Sequence, residues 1–187
     1  GMHFFSPANI MRLLEIVRGK ATAKNALASA MAIARRIGKV GVVSGVCFGF
    51  IGNRMVEAYL EEVQAMMLEG ATPADIDNAL ESWGLAMGPN AMMDMAGLDV
   101  GYRIRQEHKP SEERARFYRV TDAIVEMGRH GQKTGAGMYT YGADRKRQSD
   151  PMIEEMFAKE AAAQGLSNRK PDADEIVERC LLRLANE

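Results

Sequence analysis

Residues 2–17 read MHFFSPANIMRLLEIV, two short apolar runs parted by a loop that carries proline and asparagine. The runs at 2–6 and 13–18 are rich in Phe, Leu, Ile and Val, and each reads as a short strand. Side chains alternate along a strand, so His3 and Phe5 share one face, and Glu15 shares a face with Leu13 and Val17. A carboxylate inside LLEIV needs partners, because burying an unpaired charge is costly. If the two strands lie side by side, Glu15 accepts a hydrogen bond from one ring nitrogen of His3. That bond fixes the tautomer and leaves the other nitrogen as a general base. The competing reading makes His3 an incidental residue and pairs Glu15 with Arg12 or Arg18 at an exposed edge.

Outward from this stretch, TAKNALASAMAIARRIG (22–38) predicts a helix with Thr22 as N-cap and Gly38 as its stop. VGVVSG (40–45) predicts a third brief strand. The β–β–α–β order reads as the last portion of a mixed sheet domain, and three such strands need something else to lean on. After Gly52 helices dominate. NRMVEAYLEEVQAMMLEG (53–70) places its apolar residues on one stripe, and TPADIDNALESWG (72–84) opens with Thr72 as N-cap and Pro73 at the first helical position. Residues 88–108 predict a helix bent or interrupted near Gly97, and 112–128 another. HGQKTGAGMYTYG (130–142) is a glycine-rich turn into a short extended run, GADRKRQSDP (142–151) reads as a linker or exposed loop, and helices follow near 151–164 and 172–187. The last is still amphipathic where the sequence stops, so the chain reads as a fragment at both ends.

The 187 residues suffice for one domain or two small ones, and 47% hydrophobic with 26% charged residues is globular rather than disordered. A formal net charge of −1 argues against a nucleic-acid partner. No apolar window is long enough for a membrane span. Cys47 and Cys180 lie far apart and outside any CxxC pattern, and read as reduced core thiols. His108 and His130 have no partner at metal-ligand spacing. The 14 methionines read as adaptable core.

GFIGNR (49–54) is the second candidate site. Its glycines let the backbone pass close to another group, and Asn53 falls at a helix start, either as a cap or as a neutral amide aimed into a cleft. GRHGQKTG (128–135) resembles a phosphate-binding loop, but Gln132 stands before Lys133 where glycine is required, and the loop follows a helix. No Gly-x-Gly-x-x-Gly follows a strand, so the dinucleotide fingerprint is absent.

Taken together, GMHFFSPANIMRLLEIVRG, IGKVGVVSGVCFGFIGNRM, MGPNAMMDMAGLDVG and GRHGQKTGAGMYTY resemble the 3-hydroxyacyl-CoA dehydrogenase family from residue 1 to about 141. HFFSP, RLLE and GQKTGAG are most similar to the multifunctional, peroxisomal-type bifunctional branch, which joins enoyl-CoA hydratase to the dehydrogenase. The resemblance implies a mainly α chain: a β–β–α–β remnant of the Rossmann-type NAD-binding domain (1–47), a helical dehydrogenase C-terminal domain (48–141), then a linker and the start of a second helical repeat (142–187). Sliding 53–62 by 125 places it on 178–187, where Arg54 meets Arg179 and Glu62 meets Glu187.

The resemblance further implies that His3 is the catalytic base, Glu15 its orienting carboxylate, Asn53 a substrate contact and Ser6 a neighbour of the nicotinamide, a position often held by asparagine. The implied reaction oxidises L-3-hydroxyacyl-CoA to 3-ketoacyl-CoA with NAD+, in fatty-acid β-oxidation. Most of the NAD site is implied to lie upstream, which leaves this piece inactive alone. The implied partners are acyl-CoA, the upstream domains and a second copy through the helical domain, in the cytoplasm or, in a eukaryote, the peroxisome. The alternatives are a non-catalytic helical dimerisation module, and a dehydrogenase of 3-hydroxybutyryl-CoA or another hydroxy acid.

Overall fold

The computed structural model describes residues 1–187 and is mainly helical. It divides into two units, Gly1–Glu57 with Glu187, and Ala58–Asn186.

The first unit is built on a three-stranded sheet of order β1 (Met2–Phe4), β2 (Leu13–Val17), β3 (Val40–Ser44). β1 runs antiparallel to β2 with His3 opposite Glu15, and β2 runs parallel to β3 through helix α1 (Lys24–Arg36). Alternation decides the faces. Leu14 and Ile16 point one way and form a small core with Ala34 of α1, to which Met2, Leu27 and Met31 add, while Glu15 belongs to the opposite face. Gly41 permits this packing, because a Cβ there would come within 3.0 Å of the Ala34 Cβ.

Four local expectations change. β1 ends at Phe4 rather than residue 6, because the chain turns at once, with the Pro7 carbonyl accepting from the amides of Ile10 and Met11. Thr22 is not the N-cap: Ala23 takes that position, and the Thr22 hydroxyl accepts from the Gly19 amide instead. Cys180 is a core thiol, but Cys47 is exposed in the loop after β3, where its thiol donates to the Phe50 carbonyl. The 142–151 segment holds a strand, since β5 (Arg147–Gln148) pairs with β4 (Thr140–Tyr141).

Helix α2 (Gly52–Leu68) begins in the first unit, and from Ala58 its residues belong to the second. The rest of the second unit is α3 (Pro73–Trp83), α4 (Pro89–Ala96), α5 (Leu98–Glu107), α6 (Glu112–Glu126), the hairpin, α7 (Pro151–Ala163) and α8 (Ala173–Asn186). Thr72 and Asp75 cap α3 reciprocally, as the Thr-Pro start predicts. α4 and α5 are separate helices because Gly97, at φ +97°, takes a conformation few side chains tolerate. Val63 and Met66 of α2, Ile76 and Leu80 of α3, Ile124 of α6, Phe157 of α7 and Ile176 of α8 share one core. Met66, Met67 and Met138 are buried there, whereas Met87, Met95 and Met127 are exposed.

Candidate active site

The site starts from the β1–β2 register. His3 and Glu15 are direct cross-strand partners, which brings Nδ1 of His3 to 2.6 Å from Oε2 of Glu15. Glu15 is fully buried, at 0% exposure. Its other oxygen, Oε1, accepts the backbone N–H groups of Ile51 (3.0 Å) and Gly52 (2.8 Å) at the start of α2. These amides have no partner inside their own helix, so the carboxylate satisfies donors that would otherwise be orphaned. Neither Arg12 nor Arg18 takes part, and the exposed-edge reading of Glu15 fails.

The electrostatics follow from this geometry. Burial alone raises the Glu15 carboxyl, but the Gly52 amide, the His3 ring and the Ile51 amide outweigh it and hold the group below the usual glutamate range. An ionised carboxylate only accepts, so the His3 nitrogen facing it must carry the proton. In the neutral ring Nε2 is then the lone-pair nitrogen. No protein group hydrogen-bonds to it, and the His3 side chain is 33% exposed.

Two aromatic rings flank the imidazole, Phe5 at 4.9 Å and Phe50 at 5.5 Å between centroids. Phe50 sits at φ 48°, a left-handed conformation that costs a bulky residue about 1–3 kcal/mol. A cleft of about 430 Å³ opens beside His3, with apolar walls from Met2, Val17, Val46 and Phe50. Gly49, at φ +72°, and Gly52 bear out the close-approach reading of GFIGNR. A Cβ at Gly49 would lie 2.8 Å from the Arg54 amide, and one at Gly52 would lie 2.8 Å from the Phe5 ring.

Asn53 occupies the first turn of α2, exposed and without a side-chain hydrogen bond, so it is not a helix cap. Ser6 is exposed in the turn after β1, at a cis Ser6–Pro7 peptide. The fold thus joins His3 to Glu15 and both to the start of α2, while no hydrogen bond links Asn53 or Ser6 to His3. Sequence reasoning missed the Ile51 and Gly52 amides and the placement of Phe50 beside the His3 ring. The need of Glu15 for donors, set beside a helix start with free N–H groups, was the available signal for the first.

GRHGQKTG proves to be a structural turn, held by its own groups and by α5. The Thr134 hydroxyl accepts from the His130 amide and sits by the Gly131 and Ala136 carbonyls, while Lys133 pairs with Asp99.

Residues 1–47 match the model for the NAD binding domain of 3-hydroxyacyl-CoA dehydrogenase, and residues 49–141 the model for its C-terminal domain. The chain belongs to the 3-hydroxyacyl-CoA dehydrogenase family. Over its whole length it is 45% identical to the peroxisomal bifunctional enzyme of Danio rerio, and it spans 28% of that protein. Among solved structures, the dehydrogenase part of multifunctional enzyme 1 from C. elegans aligns with the whole chain at TM-score 0.75 and 30% identity, the match covering 42% of that chain. A 3-hydroxybutyryl-CoA dehydrogenase from Escherichia coli aligns over 78% of this chain and 32% of its own, at TM-score 0.66 and 34% identity. No helix is long and apolar enough to cross a membrane.

Proposed function

We propose that this chain is the substrate-side part of an NAD-dependent L-3-hydroxyacyl-CoA dehydrogenase of fatty-acid β-oxidation, with His3 as its base. The observation that carries the reading is the His3–Glu15 pair, in which a buried carboxylate takes Nδ1 and leaves Nε2 unpartnered beside a cleft.

Oxidation of the 3-hydroxyl requires its proton to leave as the C3 hydride leaves. Nε2 of His3 takes that proton, and Glu15 stabilises the imidazolium that forms. Such a general base is worth roughly 10²–10⁴-fold in rate. Asn53 supplies a neutral amide that holds the hydroxyl or thioester oxygen without adding a competing charge. Ser6 would lie near the nicotinamide. NAD+, when bound, accepts the hydride. The present residues suit only the reacting end of that cofactor: a base and apolar walls stand together, with no glycine-rich phosphate cradle.

The domain organisation in this reading is 1–47 as the end of the NAD-binding domain, 48–141 as the helical dehydrogenase domain and 142–187 as the start of a second helical repeat. The reading adds upstream NAD-binding and enoyl-CoA hydratase domains, a fatty acyl-CoA substrate, and a peroxisomal location in a eukaryote or a cytoplasmic one otherwise; the peroxisomal bifunctional and multifunctional relatives support the further domains and the peroxisomal location. Pairing of two copies through the helical domain completes the proposal, and the exposed Trp83, Val100, Ile104 and Leu182 supply apolar surface for it. A second reading, a short-chain 3-hydroxybutyryl-CoA dehydrogenase, is favoured by the Escherichia coli likeness.

The test is NAD+ reduction by the full-length protein across L-3-hydroxyacyl-CoA substrates of increasing chain length. Activity rising beyond four carbons supports the first reading, a maximum at four carbons the second, and no reduction with any of them overturns both. Sedimentation of the same protein decides the dimer, which a strictly monomeric species at high concentration would exclude.

A further inference from the structure

We infer that the start of α2 is a positioning element for the proton step: the N–H groups of Ile51 and Gly52 aim Glu15, and through it the His3 ring, and the missing side chain at 52 leaves room for Phe5 beside that ring. The role given to His3 rests on the dehydrogenase reading above, whereas the clamp on Glu15 is independent of it.

A carboxylate held through one oxygen can turn about its last torsion and present either oxygen to the ring. Glu15 has no such freedom. Oε1 takes two amides from residues 36 and 37 positions away, and Oε2 is left to His3. The amides also bring the positive end of the α2 dipole to the carboxylate and favour its ionised form. His3 is the titratable group facing Glu15 from β1. β3 offers Val42 at that register, and the neighbours along β2 are Leu14 and Ile16, so nothing else there supplies charge.

Gly52 matters twice. Its amide makes the shorter of the two backbone bonds, and its missing side chain makes room for Phe5. A Cβ would stand 2.8 Å from Cζ and 3.1 Å from Cε1 of that ring, which itself packs on His3. The same approach that seats the amide on Glu15 thus seats Phe5 against the base.

Gly52→Pro and Gly52→Ala separate the two effects. Both add a Cβ, and proline is tolerated in a first helical turn, but only proline removes the N–H. Carbon-13 NMR of the Glu15 carboxyl in the chain should show a midpoint about one pH unit or more higher in Gly52→Pro than in Gly52→Ala, since burial persists while a donor is lost. In the unsubstituted protein the Ile51 and Gly52 amide resonances should move together with the Glu15 titration, a readout that needs no variant to fold. In the full-length protein kcat should fall about tenfold further for Pro than for Ala, with the acid limb of the pH profile moved to higher pH in Pro alone. A merely structural role would lower kcat and leave that limb in place. Equal Glu15 midpoints in the two variants, or amides that ignore the titration, would overturn the inference. If the clamp titrates as described while His3→Ala keeps full activity, the assignment of His3 as the base fails and the clamp stands.

Discussion

At the scale of single residues, Glu15 fills a buried position in an apolar strand because its three donors come from two places, a ring on β1 and the open end of α2. The His3 half of that arrangement was legible in the sequence, since period-two alternation sets His3 and Glu15 on common faces once the strands pair. The α2 half was not, because no local pattern states which helix start will meet which strand. Glu15→Gln keeps the shape and removes the charge that stabilises the imidazolium, and should lower kcat by about 10–100-fold in the full-length protein. The carboxyl is also depressed below its ordinary range, so it contributes stability above pH about 4.3 that is lost as pH falls through the lower folded value. Thermal unfolding of the chain and of Glu15→Gln should therefore differ at pH 6 and converge toward pH 3. A constant gap would contradict this linkage.

At the scale of elements, the glycine-rich turn after α6 and the middle of α4 define one another. Asp94 is buried and accepts the amides of Met138 and Tyr139 and the hydroxyl of Tyr141. A Cβ on Gly137 would lie 2.0 Å from Oδ1 of Asp94, so GQKTGAGMYTY folds around a carboxylate and not around a phosphate. The sequence excluded the nucleotide reading through Gln132 but gave no sign of Asp94, which lies more than forty residues away. Asp94→Ala strands two buried amides and the half-buried Tyr141 hydroxyl and should cost about 3 kcal/mol or more in denaturant unfolding, and Gly137→Ala should be comparably damaging. A cost under about 1 kcal/mol for either would refute the role of Asp94 as the anchor of this turn. Thr72→Ala, which removes half of a capping box, should cost about 1 kcal/mol. Burial raises the carboxyls of Asp94 and Asp77 despite their hydrogen bonds. Their contribution has the opposite sign from that of Glu15: the folded state binds their protons more tightly, so it grows as pH falls toward their raised values.

At the scale of the whole molecule, the two units differ in what holds them. The sheet unit buries Leu14, Ile16 and Ala34 as its core, whereas the helical unit buries a long series of side chains drawn from every helix α2–α8. Amide hydrogen exchange should accordingly be fastest in β1–β3 and α1 and slowest in α2, α3 and α6. Uniform protection would contradict two units of unequal stability. The helical class and most helix starts were legible from apolar stripes and caps. The small β4–β5 hairpin was not, because its pairing is held by Arg147 reaching Glu81 across sixty-six residues. The proposed chemistry turns on the unpartnered nitrogen of His3. Its most direct test is kcat for NAD+ reduction by the full-length protein with an L-3-hydroxyacyl-CoA, compared between the natural sequence and His3→Ala at equal circular dichroism. A loss of at least about 100-fold is the predicted result, and a kcat within a few-fold of the natural protein would contradict the assignment of His3 as the base.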